Sequence, residues 1–292
     1  MMAVEQKNFM GRVAVFLEMI KFSHTVFALP FALSGALLAA GGLPTMHQLF
    51  WIVMAMVGAR TAAMGLNRLI DAEIDARNPR TANRAIPAGL VSKGMTAVFI
   101  VLSLALLLLS AAQLNRLCLL LAPVAVFFLV LYSYCKRFTA LAHVVLGICL
   151  AAAPMGAWIA IRGSIDLPAL LLALAVLFWS AGFDILYALQ DLDFDRKSGL
   201  HSIPVMLGVN GSLWVARLFH LVMIALLVWL QQRMGLGAFF GAGLLLVGIM
   251  LFYEHCLLRD GNLEKLDAAF FNMNGYISVV MLLGTAAEVL TR

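Results

Sequence analysis

The sequence predicts an all-α membrane protein, about nine transmembrane helices bundled around a central cavity with the N-terminus on the cytoplasmic side. Three observations carry this expectation. First, 63% of the 292 residues are hydrophobic and only 12% are charged, whereas soluble domains carry roughly 25% charged residues. Second, the apolar residues gather in nine runs, near 22–41, 48–67, 94–113, 117–135, 140–161, 167–189, 212–232, 236–253 and 268–289. Each is close to the ~20 residues that a bilayer-crossing helix needs. Third, the basic residues between those runs alternate in density from one loop to the next.

In hydrocarbon every backbone polar group must find its partner within the chain, so each run is expected to be helical. Residues 1–21 carry Glu5, Lys7, Arg12, Glu18 and Lys21 and lack the compact apolar centre of a cleavable signal. The run at 22–41 therefore reads as the first span. Pro30 and Pro154 are expected to kink the first and fifth spans. With the N-terminus cytoplasmic, fourteen Lys and Arg lie on the cytoplasmic side: Lys7, Arg12, Lys21, Arg68, Arg77, Arg80, Arg84, Lys93, Lys136, Arg137, Arg196, Lys197, Arg259 and Lys265. Four lie opposite, namely Arg116, Arg162, Arg233 and Arg292, a strong positive-inside bias. Arg60 and Arg217 fall in or near spans. The net charge of +5 is then a loop property facing anionic lipid and cytoplasm, with no nucleic-acid partner implied. Cys118, Cys135, Cys149 and Cys256 show no metal-binding spacing and read as packing residues.

Two cytoplasmic loops are long and polar: 68–93 after the second span and 190–211 after the sixth. They resemble each other. Asp71-x-x-x-Asp75 precedes a basic stretch and Ile86-Pro87, and Asp191-x-x-x-Asp195 precedes a basic stretch and Ile203-Pro204. This suggests a single domain over 1–292, built from similar halves at about 22–135 and 140–253 plus a last helix at 268–289. Two equivalent acidic sites would then face each other across the bundle.

Asn67, Asp71 and Asp75 stand at i, i+4 and i+8, which stacks three oxygen ligands along one helical face. In the second motif Asp191 and Asp195 share a face, with Tyr187 one turn earlier and Asp184 two turns earlier. Carboxylates near membrane depth are costly without nearby positive charge, and the few local basic residues are not expected to neutralise four of them. A hard divalent cation would. Mg²⁺ takes one or two carboxylates together with waters and phosphate oxygens, so the pairs would hold metal ions that bridge to a diphosphate, with nearby Arg and Lys taking the remaining charge. A single Asp-x-x-x-Asp at a helix end reads as a solvated loop. Two, at the same end of even-numbered spans and each followed by basic residues, read as a site.

These motifs, together with Tyr132-Ser-Tyr-Cys-Lys136-Arg137-Phe-Thr139 and Arg80-Thr81-x-x-Arg84-x-x-Pro87-x-Gly89, resemble the UbiA superfamily of intramembrane prenyltransferases. The resemblance covers nearly the whole chain and is nearest to the branch acting on 4-hydroxybenzoate. The stretch Lys21-Phe-Ser-His24-Thr-Val-Phe-Ala-Leu-Pro30 resembles a subgroup that serves menaquinone synthesis through a dihydroxynaphthoate. The resemblance implies Mg²⁺-dependent transfer of a polyprenyl chain from an allylic diphosphate to an aromatic acid in quinone biosynthesis. It places the enzyme in a bacterial inner membrane with the site opening to the cytoplasm.

It also implies residue roles. Asp71, Asp75, Asp191 and Asp195 would hold two Mg²⁺, assisted by Asn67. Arg80, Arg84 and Lys197 would contact the diphosphate, and Lys136 and Arg137 the diphosphate or an acceptor carboxylate. Asp184 and Tyr187 would line the cavity near the developing cation, with Lys21 and His24 at its cytoplasmic mouth. Phe27, Phe127, Phe128, Trp158, Phe178 and Trp179 are candidates for walling a dry pocket, while His143 and His220 read as hydrogen-bonded packing residues. Two positions depart from the family pattern: Lys21 precedes Phe22 where a Pro is usual, and His201 stands where Lys is common. Both bear on the acceptor rather than on the reaction. Three alternatives fit less well. A secondary transporter would place its charges at the membrane midplane. A haem O synthase-like or chlorophyll synthase-like branch would keep the reaction and change the acceptor. A CDP-alcohol phosphotransferase requires an Asp-Gly-x-x-Ala-Arg run that is absent here.

Overall fold

The computed structural model describes residues 27–258 and 273–292, so Lys21 and His24 lie outside the described residues. In chain order the helices are α1 (Leu29–Ala40), α2 (Met46–Ile70), α3 (Ala72–Arg77), α4 (Lys93–Leu114), α5 (Arg116–Cys135), α6 (Ala142–Arg162), α7 (Leu167–Ala188), α8 (Leu192–Lys197), α9 (Ile203–Met234), α10 (Ala238–Leu257) and α11 (Asn274–Leu290). No strand occurs among the described residues. Seven helices (α2, α4, α5, α6, α7, α9 and α10) are long and apolar enough to cross a membrane. The chain is therefore an integral membrane protein. The apolar helices α1 and α11, of 12 and 17 residues, stand at the first and ninth expected spans. Large apolar side chains such as Leu102, Leu120, Leu245 and Phe252 point outward and are more than half exposed, as a lipid-facing surface requires.

Helix boundaries follow local chemistry. Thr45 accepts from the Gln48 backbone N–H while Gln48 reaches back to the Thr45 N–H, closing a capping box on α2. Ser92, Asn115 and Ser202 cap α4, α5 and α9 through their side-chain oxygens. Gly41, Gly163 and Gly235 end α1, α6 and α9 in the left-handed conformation.

Two expectations need correction. The segment 190–211 is not a loop throughout, because α9 begins at Ile203 behind the Ser202 cap and is broken only at Gly208 (φ 67°, ψ −175°). Pro30 lies in the first turn of α1, where it starts the helix instead of kinking it. Pro154 does lie inside α6.

Small residues set the helix spacing. A Cβ at Gly58 of α2 would fall 2.8 Å from the Ser103 carbonyl oxygen of α4, and one at Gly147 of α6 would fall 2.7 Å from the Leu177 carbonyl oxygen of α7. Close backbone approach of this kind drives helix association where lipid removes the hydrophobic contrast. At the end of the bundle where α1 and α6 finish and α5 and α7 begin, polar ties lace the helices. Arg162 Nε donates to the Ala39 carbonyl (2.6 Å), Asn115 Nδ2 to the Ile159 carbonyl (2.7 Å) and Trp158 Nε1 to Asp166 Oδ2 (3.1 Å). The acidic motifs lie at the opposite end.

Candidate active site

The two acidic motifs adopt the same local form. Helix α2 stops at Ile70, Asp71 turns the chain (φ −89°, ψ 2°), and α3 resumes. Helix α7 stops at Ala188, a 3₁₀ turn covers Leu189–Asp191, Asp191 turns the chain (φ −99°, ψ 4°), and α8 resumes. Both aspartates sit in the sparsely populated bridge region that many active-site residues occupy. The backbone bonds Asp71 N–H to Asn67 O and Asp75 N–H to Asp71 O keep the three first-motif residues stacked across the break. The Asn67 amide nitrogen donates to Asp71 Oδ2 at 3.0 Å.

Loop residues from distant parts of the chain converge on these carboxylates. Lys136 Nζ lies 2.6 Å from Asp71 Oδ2, and Arg137 Nη2 lies 3.1 Å from Asp71 Oδ1. Arg137 also donates to the Ile70 carbonyl at 2.8 Å, capping α2 and fixing the guanidinium beside Asp71. Asp75, 3% exposed, pairs with Arg84 at 2.6 Å and has Arg68 at 4.0 Å. Pro79 follows Asn78, whose side-chain oxygen accepts from the Arg80 backbone N–H at 3.0 Å in an Asx turn. The Asn78 amide nitrogen is thereby free to donate to Asp191 Oδ1 at 2.9 Å.

Arg80 grips Asp191 with Nε (2.8 Å to Oδ1) and Nη2, donates to the Tyr187 hydroxyl at 3.1 Å, and stacks over the Tyr187 ring. Burial disfavours the Arg80 charge, but the hydrogen bond and charge of Asp191 outweigh it and hold this guanidinium above the ordinary arginine pKa. The two motifs, 113 residues apart at Asn78 and Asp191, are thus joined directly.

The polar cluster opens on a cavity of about 650 Å³ between α2, α4, α5, α6 and α7. Asn67, Arg68, Arg84, Asp184 and Tyr187 line its polar end, and Ile52, Met56, Leu121, Phe128, Leu170 and Leu174 line its apolar length. Arg60 and Tyr132 enter it as polar exceptions. Arg60 Nε is buried with no hydrogen-bond partner among the described residues.

Several sequence expectations land apart from this cluster. Lys197 is exposed at the end of α8 and makes no ion pair among the described residues. Of the aromatic candidates, Phe27 and Phe128 line the cavity. Phe127 faces outward, Trp158 and Trp179 are in the core, and Phe178 stacks on Phe219. The expected shortage of neutralising charge is also corrected. Arg68, Arg80, Arg84, Lys136 and Arg137 partner Asp71, Asp75 and Asp191, because loops distant in sequence meet at one mouth. Asp195 is the exception, with no ion pair among the described residues. Sequence reasoning missed Arg68, Asn78 and Tyr132. His143, read as a hydrogen-bonded packing residue, does make such a bond, its Nδ1 lying 2.7 Å from Asp184 Oδ2. The Asn-Pro-Arg run after the first motif was the readable signal for Asn78.

The donor set fits a hard divalent cation. Every candidate ligand is an amide or carboxylate oxygen, and among the described residues two buried carboxylate oxygens, Asp71 Oδ1 and Asp75 Oδ2, accept no hydrogen bond, although Arg137 lies beside the first. Among the described residues no three His, Cys, Asp or Glu side chains converge on one metal position. A metal here would therefore complete its shell with further oxygens, from water or a bound phosphate.

Fold and site together define an integral membrane enzyme with its polar groups gathered at one end of an apolar cavity. The UbiA prenyltransferase family matches residues 28–276, and the chain belongs to that family. It is 32% identical over 257 residues to the 4-hydroxybenzoate octaprenyltransferase of Aeromonas salmonicida (strain A449), covering 87% of each chain. It is 31% identical to the enzyme of the same name from Enterobacter sp. (strain 638), over 85% of each chain. The apo structure of a UbiA homologue from Aeropyrum pernix K1 superposes with a TM-score of 0.84 at 33% identity, covering 92% of this chain and 98% of that one. A UbiA homologue from Archaeoglobus fulgidus bound to DMAPP and Mg²⁺ shares the fold at 17% identity, with a TM-score of 0.69 over 94% and 98% of the two chains. The protein is a prenyltransferase.

Proposed function

We propose that this prenyltransferase moves a polyprenyl chain from an allylic polyprenyl diphosphate to the ring of an aromatic acid, 4-hydroxybenzoate or a dihydroxynaphthoate, for ubiquinone or menaquinone synthesis. One observation carries the reading: Arg80 and Asn78 tie Asp191 to the first acidic motif at the mouth of a single, mainly apolar cavity. A diphosphate with a long hydrocarbon tail has that same division of chemistry. The names of the bacterial relatives favour 4-hydroxybenzoate.

On this reading the chain forms one domain over 1–292 with halves at about 22–135 and 140–253 and a last helix at 268–289. It crosses a bacterial inner membrane nine times with its N-terminus and active site on the cytoplasmic side. The weight of basic residues in the loops of that side supports the orientation.

Asp71, Asp75, Asp191 and Asp195, with Asn67, would hold Mg²⁺, which when bound supplies positive charge to the departing diphosphate. Arg80, Arg84, Lys136 and Arg137 would exchange carboxylate partners for phosphate oxygens, and guanidinium suits that exchange through its paired donors, while the exposed Lys197 would add a further cation. Lys21 and His24 would complete the mouth. The apolar walls would exclude water while the allylic C–O bond opens, and Tyr187 and Asp184, which line the cavity, would lie near the carbon that develops positive charge. Chelation with EDTA should abolish product formation, and added Mg²⁺ should restore it. Prenyl transfer unchanged by chelation would refute the ligand assignment.

Arg60 is assigned to the acceptor. A guanidinium in an apolar cavity, its Nε unpartnered, calls for an anion. An aromatic carboxylate supplies one. Arg60→Leu should raise the acceptor KM about ten- to a hundredfold, the weight of a charged hydrogen bond, with the KM for prenyl diphosphate little changed. Steady-state kinetics with each substrate varied would test it, and equal rises in both constants would contradict the assignment. The acceptor itself is tested by presenting 4-hydroxybenzoate and dihydroxynaphthoates to the purified enzyme. Failure to prenylate either class would overturn the proposed reaction.

A further inference from the structure

Asp184, like Asp195, differs from the remaining carboxylates of the site. Asp71, Asp75 and Asp191 each face Lys or Arg, whereas among the described residues Asp184 has no Lys or Arg within 4.0 Å. Its one recorded partner is His143 of α6, whose Nδ1 lies 2.7 Å from Asp184 Oδ2. The imidazole is the inner member of the pair, with side-chain exposures of 5% for His143 and 18% for Asp184. Among the described residues His143 Nε2 is buried without a hydrogen-bond partner, so this carboxylate is the ring's one hydrogen-bond partner there. Asp184 itself lines the cavity. The arrangement is a carboxylate presented to the cavity and aimed from behind by an imidazole. A carboxylate locked to a guanidinium is a poor proton acceptor, and this one is not locked.

Its depth suits the task. Seven residues separate Asp184 from Asp191, a rise of ~10 Å from the acidic turn toward the apolar end. Arg60 lies eleven residues before Asp71, a rise of ~16 Å along its own helix. The difference between the two depths is on the order of one aromatic ring. An acceptor anchored at Arg60 would therefore present its ring near Asp184.

We propose that Asp184, oriented by His143, is the base that removes the proton from the substituted ring carbon; this rests on the prenyl-transfer reading above. The allylic C–O bond breaks and its electron pair leaves with the diphosphate. The ring carbon uses a π pair to bond the allylic carbon. The C–H bond at that ring carbon then breaks, its pair restoring aromaticity and its proton passing to Asp184. The proton goes to water when product leaves. Asp184 is the catalytic residue of this step and His143 a positioning residue.

The test uses purified full-length enzyme and an aromatic acid deuterated at the ring carbons beside the phenol. In the native enzyme proton loss follows the difficult ionisation, so protiated and deuterated acceptors should react at nearly equal rates. In Asp184→Asn single-turnover transfer should fall at least a hundredfold, the usual weight of a general base, and the deuterated acceptor should now react at least twofold more slowly. Water-quenched release of diphosphate without acceptor should fall much less than transfer does in this variant, and the release that remains reports that it is folded. His143→Gln, which can still donate to the carboxylate, should retain most activity where His143→Ala does not. A slow Asp184→Asn enzyme without an isotope effect, or one whose diphosphate release falls in parallel, overturns the base assignment. Absence of any aromatic product from the native enzyme overturns the underlying function instead.

Discussion

Asp191→Ala should lower prenyl transfer by about a hundred- to a thousandfold, the range seen when one preorganised electrostatic group is removed from a reaction centre. Asp191 is the point at which the two halves of the site meet. It accepts from Asn78, Arg80 Nε and Arg80 Nη2. Without it Asn78, itself buried, loses its acceptor, and Arg80 is left stacked on Tyr187 with no carboxylate to oppose. Asp71→Ala should be comparably damaging, because Lys136, Arg137 and the Asn67 amide nitrogen all converge on that one carboxylate. The measurement is turnover of labelled prenyl diphosphate by purified variants at saturating substrate. Native turnover in either variant would remove the foundation of the proposed chemistry.

Gly58→Leu should produce the largest loss of stability. A Cβ at this position already falls 2.8 Å from the Ser103 carbonyl oxygen and 2.9 Å from the Leu107 backbone nitrogen, and neither atom belongs to a side chain that can swing aside. Helices α2 and α4 would have to separate. Forcing extra carbons into such a contact costs about 1–3 kcal/mol or more, and in lipid no hydrophobic gain offsets it. Unfolding of the detergent-solubilised protein should shift down by about 5–10 °C. Gly248→Ala is the control, since a Cβ there meets nothing within 4 Å; its unfolding temperature should hold or rise. A Gly58→Leu protein as stable as the native one would mean that α2 and α4 are not clamped at this point.

The spans were legible because hydrocarbon leaves the backbone a single solution, so apolar length translates directly into helix. The runs at 94–113 and 117–135 differ from α4 and α5 by one residue at the ends where they differ at all. Polar boundaries were less legible. The apolar run Ile203–Leu207 is far shorter than a span, so it did not stand out as helix, and only the Ser202 cap and Pro204 mark the start of α9. In the site, the paired aspartates were visible from spacing alone. Their partners were not, because Arg80 to Asp191 and Lys136 to Asp71 are contacts between loops far apart in sequence, and no periodicity encodes them. The partner of His143 was hidden for the same reason, since it lies 41 residues away on another helix. The aromatic assignments were only partly right for a related reason. The bulk of Trp158 and Trp179 says nothing about whether a ring faces a cavity or a neighbouring helix.

The ties joining Arg162 to Ala39, Asn115 to Ile159 and Trp158 to Asp166 give the two ends of the bundle different mechanical characters. At that end each tie uses at least one uncharged group, and none depends on anything that binds. At the acidic end the fastening is mostly between full charges, which exchange partners when another anion arrives. The molecule therefore has a stiff base and an adjustable rim, like a purse stitched at the bottom and drawn closed by its string.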